Sequence, residues 1–579
     1  MLGANIRSNA VEFRVWAPKA ELLSVQLNGS TRIDLQRDAK GVFTGQAQAK
    51  AGDRYCYLLG DKCLPDPVSR YLPDGVHGAT QIVDPEAFRW SDEDWHGIPL
   101  HEYVIYELHV GTFSHSGTFD GVIEKLEYLR DLGVTAIEVM PVAAFPGKRN
   151  WGYDGVSLYA VQESYGGPEG LKRLVNAAHR AGVAVMLDVV YNHLGAEGNY
   201  LGEFAPYFTD RYRTVWGDAI NYDGEDGEQV RKYIVENALY WVREYHIDAL
   251  RLDAIQAITD ASKKHIVQEV VEAVQEFAHG SGRRVCVTAE SDENERKLVL
   301  PNNEGGVGLD AVWTDDFHHS VHTLLTGESS GYYQDYGQPE KVIKALNEGF
   351  VFQGQHFRTW RTSRGTSAEG IPLPRHIFCI QNHDQVGNRC WGERLAHIVS
   401  RGAAKAAAAL LLLAPETPLL FMGEEYGESA PFQFFTDYGD PKLQQAVVEG
   451  RKKEFEDFGW DESPNPQDPA TFLHSKLTWR IDEDMLSWYR RLLQIRREFI
   501  THGPRTCHAH LYDREIIVEV PVDHASLVMS VSLPGNVMAG SIFQEEQEIL
   551  LDNAEDDYRV HVAKRKKPQI ASETLERAA

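Results

Sequence analysis

Asp248-Ala249-Leu250-Arg251-Leu252-Asp253-Ala254 reads as a short buried strand that carries an arginine and a carboxylate, two residues apart, to its C-terminal end. Side chains alternate faces along a strand, so Arg251 and Asp253 point one way and Leu250 and Leu252 the other. A carboxylate held beside a guanidinium stays ionised at neutral pH, as a nucleophile must. An isolated Arg-x-Asp is more often a structural ion pair than a catalytic one. What surrounds this one decides between the two.

From Tyr103 onward, apolar runs alternate with helical segments. Val104–Leu108, Thr135–Met140 and Val183–Val190 precede the Arg-x-Asp strand, which itself begins at Ile247. Arg284–Thr288, Ala311–Trp313, His376–Ile380 and Leu419–Met422 follow it, and amphipathic stretches such as Gly121–Leu132, Gly170–Arg180 and Gln229–Tyr245 lie between. Eight strands with intervening helices predict an α/β fold, a closed parallel (β/α)8 TIM barrel. It spans residues 99–500, with an insertion at about 192–226 after strand three. Residues 1–98 hold short alternating segments (Val11–Trp16, Ser24–Leu27, Tyr55–Leu58) and predict an N-terminal, immunoglobulin-like β-sandwich. Residues 501–563, with Glu515–Val520 and Ser526–Val531, predict a small C-terminal β-domain. The polar stretch 564–579, opening Lys564-Arg565-Lys566-Lys567, is expected to be a disordered tail.

The formal net charge of −27 argues against a polyanionic partner, nucleic acid or an acidic membrane, and leaves a neutral substrate open. The most apolar window, Ala406 to Met422, is broken by Pro415, Glu416 and Pro418, so it reads as a buried helix and a strand rather than a membrane span. No stretch near the start combines a basic end with an apolar core, and the six cysteines (Cys56, Cys63, Cys286, Cys379, Cys390, Cys507) show no C-x-x-C spacing. Reduced thiols and a cytoplasmic location are expected.

In such a barrel, chemistry belongs at the C-terminal ends of the strands. Asp188 lies in strand three, with Asn192 and His193 beyond it; Arg251 and Asp253 end strand four, and Glu290 follows strand five. Asp315, Asp316, His318 and His319 follow strand six, and His383, Asp384 and Gln385 follow strand seven. Polar groups from five strands converging on one rim point to a shared site. A metal-dependent hydrolase would want ligand spacing such as His-x-His, and strand one offers only His109. Glycoside hydrolysis needs one carboxylate to attack the anomeric carbon, a carboxylic acid to protonate the leaving oxygen, and aromatic platforms for sugar rings. Trp151, Tyr153 and Trp216, in loops above strands two and three, are candidates for those platforms.

At these residues the chain resembles the α-amylase superfamily of glycoside hydrolases, whose four signature regions are similar to Asp188-Val-Val-Tyr-Asn-His193, Leu250-Arg-Leu-Asp-Ala254, Ala289-Glu-Ser291 and Asn382-His-Asp384. The resemblance implies Asp253 as nucleophile, Glu290 as general acid/base and Asp384 as the group that steadies the distorted sugar. It implies that Arg251 orients Asp253, and that Asp188, His193 and His383 hold hydroxyls of the sugar in the −1 subsite. Longer motifs resemble the trehalose-releasing hydrolases of that family: Phe13-Arg-Val-Trp-Ala-Pro18, Tyr106-Glu-Leu-His-Val-Gly-Thr-Phe113, Trp151-Gly-Tyr-Asp-Gly155, Ser164-Tyr-Gly-Gly-Pro-Glu-Gly170, Asn192 to Leu201, Asp315-Asp-Phe-His-His319, Phe421 to Gly427 and Ser475 to Trp479. These imply malto-oligosyltrehalose as substrate, cut at the α-1,4 bond beside its terminal trehalose with retention of configuration, the two carboxyls lying about 5–5.5 Å apart. They also imply Trp151, Tyr153, Asp154, Asn192, Trp216, Gln256, Asp315, Asp316, His318, His319 and Gln385 as substrate-binding residues, and a malto-oligosyltrehalose synthase as pathway partner. One departure is Gln256, where that family usually carries His; it should face the leaving group, as a neutral replacement or as a change in trehalose recognition. No cofactor and no obligatory metal are expected, since Asn192 to Gly202 holds no dense run of oxygen ligands. Alternatives within the superfamily are branching and α-1,6 debranching enzymes. A non-catalytic carbohydrate-binding relative is the reading from a different class, and the presence of all three carboxylates argues against it.

Overall fold

A computed structural model describes residues 2–8, 10–456, 463–522, 525–535 and 547–566. Its centre is a closed barrel of eight parallel strands in chain order: β1 (Ile105–Leu108), β2 (Ala136–Val139), β3 (Ala184–Val189), β4 (Ala249–Leu252), β5 (Cys286–Glu290), β6 (Ala311–Trp313), β7 (His376–Cys379) and β8 (Thr417–Phe421). All eight are bounded within two residues of the apolar runs, and β5 continues through Glu290. Alternation sets what each strand offers the interior. Ile105, Ala136, Ala184, Met186, Ala249, Ala311 and Leu419 cluster inside the barrel's lower half, where small residues let the facing strands close. The opposite faces, with Tyr106, Ile137, Leu187 and Leu250, pack outward in the main core. Two residues beyond the inner apolar positions come Glu107, Glu138, Asp188 and Arg251, so the barrel interior turns from apolar to charged towards its C-terminal end.

Helices cover the outside. Gly167–Ala181 buries Leu171, Leu174, Val175 and Ala178, the spacing of one helical face, and ends at Gly182, whose φ of +78° only glycine adopts without strain. Ser400 caps Arg401–Leu412 by accepting from the Ala403 N–H, and Asp482 caps Glu483–Phe499 through the N–H groups of Asp484 and Met485.

Two antiparallel sheets form the N-terminal sandwich. One orders Gly3–Arg7, Ala10–Trp16, Val42–Ala47 and Gln36–Arg37; the other orders Thr31–Asp34, Ser24–Leu27, Arg54–Leu59 and Lys62–Leu64, with Thr80–Gln81 paired to the third. Their inner faces meet through Val11, Phe13, Val25 and Tyr57, and the Phe13 and Tyr55 rings stand 5.0 Å apart. One expectation is corrected here: Cys56 and Cys63 form a disulfide rather than remaining reduced. They sit on adjacent hairpin strands with Cα atoms 5.7 Å apart, a geometry that spacing along the chain does not reveal. The other four cysteines are free and buried.

The insertion after β3 contains a short helix, Leu201–Phe204, and a hairpin, Phe208–Thr214 with Gly217–Ile220. A second excursion, not expected from the sequence, follows β6: Asp315–Thr326, Pro339–Glu348, and the hairpin Gln355–Phe357 with Thr362–Arg364. A five-stranded antiparallel sheet closes the described chain, in the order His508–Tyr512, Glu515–Val522, Ala525–Ser532, Tyr558–Lys566, Gln547–Glu555. Its strand Tyr558–Lys566 corrects the expected tail: Lys564, Arg565 and Lys566 pair with Leu527, Ser526 and Ala525, and Arg565 meets Glu519 at 2.5 Å. Residues 567–579 lie outside the described residues. No described helix is long and apolar enough to cross a membrane.

Candidate active site

Arg251 is fully buried inside the barrel and meets three carboxylates. Nη1 reaches Asp188 Oδ2 at 2.7 Å and Asp253 Oδ1 at 2.8 Å, and Nη2 reaches Glu290 Oε2 at 2.5 Å. Its guanidinium also lies over the Trp313 ring, 4.4 Å from the centroid. Register explains the convergence: Asp188, Arg251 and Thr288 are neighbours on β3, β4 and β5, and Asp253 and Glu290 each lie two residues beyond. Immediately after Asp253 the chain turns through Ala254 at φ 39° and ψ 56°, left-handed backbone that costs a non-glycine residue about 1 kcal/mol or more. That turn aims the Ala254 N–H at Glu290 Oε2, 3.2 Å away. Asn192 donates to both Asp253 Oδ2 (2.7 Å) and the Asp253 carbonyl (2.8 Å), which fixes the other side of this carboxylate.

A second chain of contacts reaches Asp188 from the far wall. Glu107 takes the His383 N–H (2.8 Å) and Nδ1 (2.5 Å); His383 Nε2 meets the Tyr153 hydroxyl at 2.8 Å; and Tyr153 donates to Asp188 Oδ2 at 2.7 Å. The Tyr153 and His383 rings stack with centroids 5.1 Å apart. Burial raises the Asp188 carboxyl to about 6 against the pull of Arg251. Burial also raises Glu290, to about 8; Arg251 opposes the rise, and the charges of Asp253, Asp384 and Asp315 add to it. His383 is raised as well, for a different reason: burial alone would lower it, but the Glu107 carboxylate carries it to about 9.

Glu290 and Asp384 open into a pocket of about 490 Å³, which Gln256, Asp315, His319 and Gln385 also line. On its far wall stand Tyr332, Phe357 and Trp360, with Trp360 37% exposed at the tip of the hairpin after β6. Arg364 lies over the Phe357 and Trp360 rings and pairs with Asp316 at 3.1 Å. His319 has neither ring nitrogen hydrogen-bonded to the described chain, and neither is Gln385 Oε1, so both side chains have polar atoms to spare. A larger cavity, about 930 Å³, lies at the opposite end of the barrel, where Leu100, Asp310 and Pro372 precede β1, β6 and β7; no Phe, Tyr or Trp lines it. Among the described residues no group of three or more His, Cys, Asp or Glu is placed to hold a metal ion.

On the opposite flank, His193 meets Asn192 and stacks on Trp216, with ring centroids 4.1 Å apart and planes within 6°. Trp216 is 48% exposed at the turn of the insertion hairpin. Four expected substrate-binding residues are placed otherwise. Trp151 is buried, donates to the Gln433 carbonyl at 2.9 Å and stacks on Phe432, so it packs the wall behind His383 instead of facing a sugar. Asp316 is fully buried and spends its oxygens on Asn294, Tyr336, Arg364 and the N–H groups of Val351 and Phe352. His318 is buried against His322, 5.3 Å away, on the same helix as His319 but not itself lining the pocket. Asp154 is held within its own loop by Asn150, whose amide donates to Oδ2 at 2.5 Å.

The sequence reading missed Glu107 and Glu138 inside the barrel and Tyr332, Phe357, Trp360 and Arg364 on the pocket's far wall. A glutamate at an inward position of an otherwise apolar strand was a legible signal for the first two. The others sit in a five-residue 3-10 helix (Gly331–Asp335), three-residue strands or a turn, all without periodicity.

Residues 82–216 match the family model of the alpha-amylase catalytic domain. The chain is 47% identical over 499 residues to the malto-oligosyltrehalose trehalohydrolase of Saccharolobus solfataricus, covering 86% of this chain and 87% of that protein. It is 44% identical to the enzyme of the same name from Arthrobacter ramosus, over 85% of this chain and 88% of that one. Among solved structures, a candidate alpha amylase of Salmonella typhimurium superposes with a TM-score of 0.90 at 38% identity, covering 98% of this chain and 99% of that one.

Proposed function

The chain belongs to the malto-oligosyltrehalose trehalohydrolases of the α-amylase superfamily, and we infer that it hydrolyses the α-1,4-glucosidic bond beside the terminal trehalose of malto-oligosyltrehalose, releasing trehalose. The observation that carries the mechanism is one guanidinium spanning Asp253 and Glu290. Contact with one arginine keeps the two carboxyls on the same side of the barrel mouth, which supports double displacement, the mechanism that needs them about 5–5.5 Å apart.

Glu290, protonated at neutral pH, gives its proton to the glycosidic oxygen as that bond breaks, and trehalose departs as the alcohol. Asp253 attacks the anomeric carbon from the other face, forming a glycosyl ester. The ionised Glu290, now stabilised by Arg251 and the Ala254 N–H, takes a proton from water, and that water releases the oligosaccharide with its original configuration. Asp384 faces the positive charge that develops on the ring. Asp188, His193, His383 and Tyr153 form the −1 subsite, and Trp360 with Gln256 forms the surface that meets the trehalose unit. Proton NMR of fresh product tests the stereochemistry: the new reducing end should appear first as the α-anomer, and the β-anomer first would overturn double displacement.

An enzyme that joins two glucose units head to head at the reducing end of a malto-oligosaccharide must supply this substrate, which names a malto-oligosyltrehalose synthase as pathway partner. A cytoplasmic location belongs to the same reading. Four free, buried cysteines favour it and the Cys56–Cys63 disulfide opposes it, so thiol trapping of the protein in intact cells decides the point.

A further inference from the structure

We propose that Glu107, a barrel-interior residue that touches no substrate, is a positioning residue of this reaction: through His383 and Tyr153 it holds Asp188 in the orientation that receives the sugar. The inference rests on the assignment of Asp188 to the −1 subsite. Each link has one direction. Both Glu107 oxygens are committed to His383, one to its backbone N–H and one to Nδ1. With Nδ1 donating to a carboxylate, a doubly protonated ring donates from Nε2 to the Tyr153 oxygen. Tyr153 has a single proton, and accepting from His383 frees that proton for Asp188 Oδ2. Asp188 Oδ2 is thereby saturated by Tyr153 and Arg251, while Oδ1 has no partner in the described chain and is left as the acceptor for a hydroxyl. A neutral His383 breaks this order, because Nε2 would then compete with Asp188 for the Tyr153 proton.

The groups around His383 are Glu107 and His109 on β1 and the turn after it, Tyr153 beyond β2, Asp188 on β3, Arg251 on β4 and Asp384 beside it. Arg251 works against its charge, while His109, pushed down to about 3 by burial, is neutral; Glu107 is the carboxylate in contact with the ring and outweighs Arg251. Glu138 stands next to Glu107 in register on β2, fully buried, with neither oxygen hydrogen-bonded to the described chain. Burial and the Glu107 charge push its carboxyl far up, so it sits there as the neutral acid. Two adjacent glutamates thus differ in kind: Glu107 gives both its oxygens to His383, whereas Glu138 is neutral and outside the chain of contacts.

That difference gives the test. Glu107→Gln should lower kcat by about 10- to 100-fold, the usual cost of removing an orienting partner, with KM within about threefold of wild type. Its alkaline limb of kcat, set in the wild type by Glu290 near about 8, should move to lower pH by at least about one unit, because without the carboxylate burial neutralises His383 before Glu290 loses its proton. Glu107→Asp, which keeps the charge, should restore the position of the limb. Glu138→Gln, neutral for neutral, should keep both kcat and the limb. A wild-type limb in Glu107→Gln, or an equal displacement in Glu138→Gln, would overturn the proposal. Should Glu107→Gln not fold, nitrogen-15 NMR of the wild-type imidazoles, with His383 assigned by its absence in His383→Asn, reads the same point: the ring should stay doubly protonated at neutral pH, and a neutral ring there overturns it. Loss of retention in the product would instead remove the mechanism on which the proposal rests.

Discussion

Arg251 shows how one residue organises three carboxylates with different duties. A buried guanidinium with its fork occupied keeps a nearby carboxylate charged, while burial and repulsion raise another, which is how one site holds a nucleophile and an acid at the same pH. The shifted carboxyls set the expected profile: kcat/KM should rise as Asp188 ionises near about 6 and fall as Glu290 loses its proton near about 8. Rates measured across that range check it, and a profile flat through both limbs would contradict the assignment. Asp253→Ala should lower turnover by at least about 10⁴-fold while oligosaccharide binding, read by calorimetry, persists. The Arg-x-Asp pair, Asp188, Glu290 and Asp384 were legible because a strand's two-residue period and the barrel rule fix where such groups land. Trp151 was misread because a loop aromatic faces a ligand or a wall with equal ease, and only packing against Phe432 and Gln433 distinguishes them.

At the scale of elements, the eight strands could be read from apolar runs, whereas the hairpin Gln355–Arg364 could not: its strands are three residues long, and Gln355, His356, Thr362 and Ser363 are exposed. Asp316 anchors this excursion, tying the helix that starts at Asp315 to Val351, Phe352 and Arg364. Asp316→Ala should destabilise the protein by about 3–5 kcal/mol, since it strands the buried Arg364 without its carboxylate; a fall in Tm measures this. Trp360→Ala leaves that anchor intact. It should cost about two- to tenfold in kcat/KM on trehalose-ended substrate, the worth of one ring face, and less on a plain malto-oligosaccharide.

Across the whole molecule, the barrel's flanking sheets brace the loops that carry the site. The sandwich reaches the insertion after β3 through Trp16 against Tyr207 and Lys62 against Glu203, and that insertion presents Trp216. The C-terminal sheet is clamped to the helix Arg401–Leu412, where Lys405 and Arg401 both meet Glu555. The net charge of −27 keeps polyanions away but exerts no pull on a neutral glucan, so KM should change by less than about twofold as ionic strength rises from about 0.05 to 0.5 M. A single measurement bears most directly on the central claim: product analysis with maltotriosyltrehalose and the matching plain malto-oligosaccharide side by side. Rapid release of free trehalose from the first, with slow attack on the second, is the predicted result. Equal attack on both, or transfer of the glucan to a 6-hydroxyl, would contradict it.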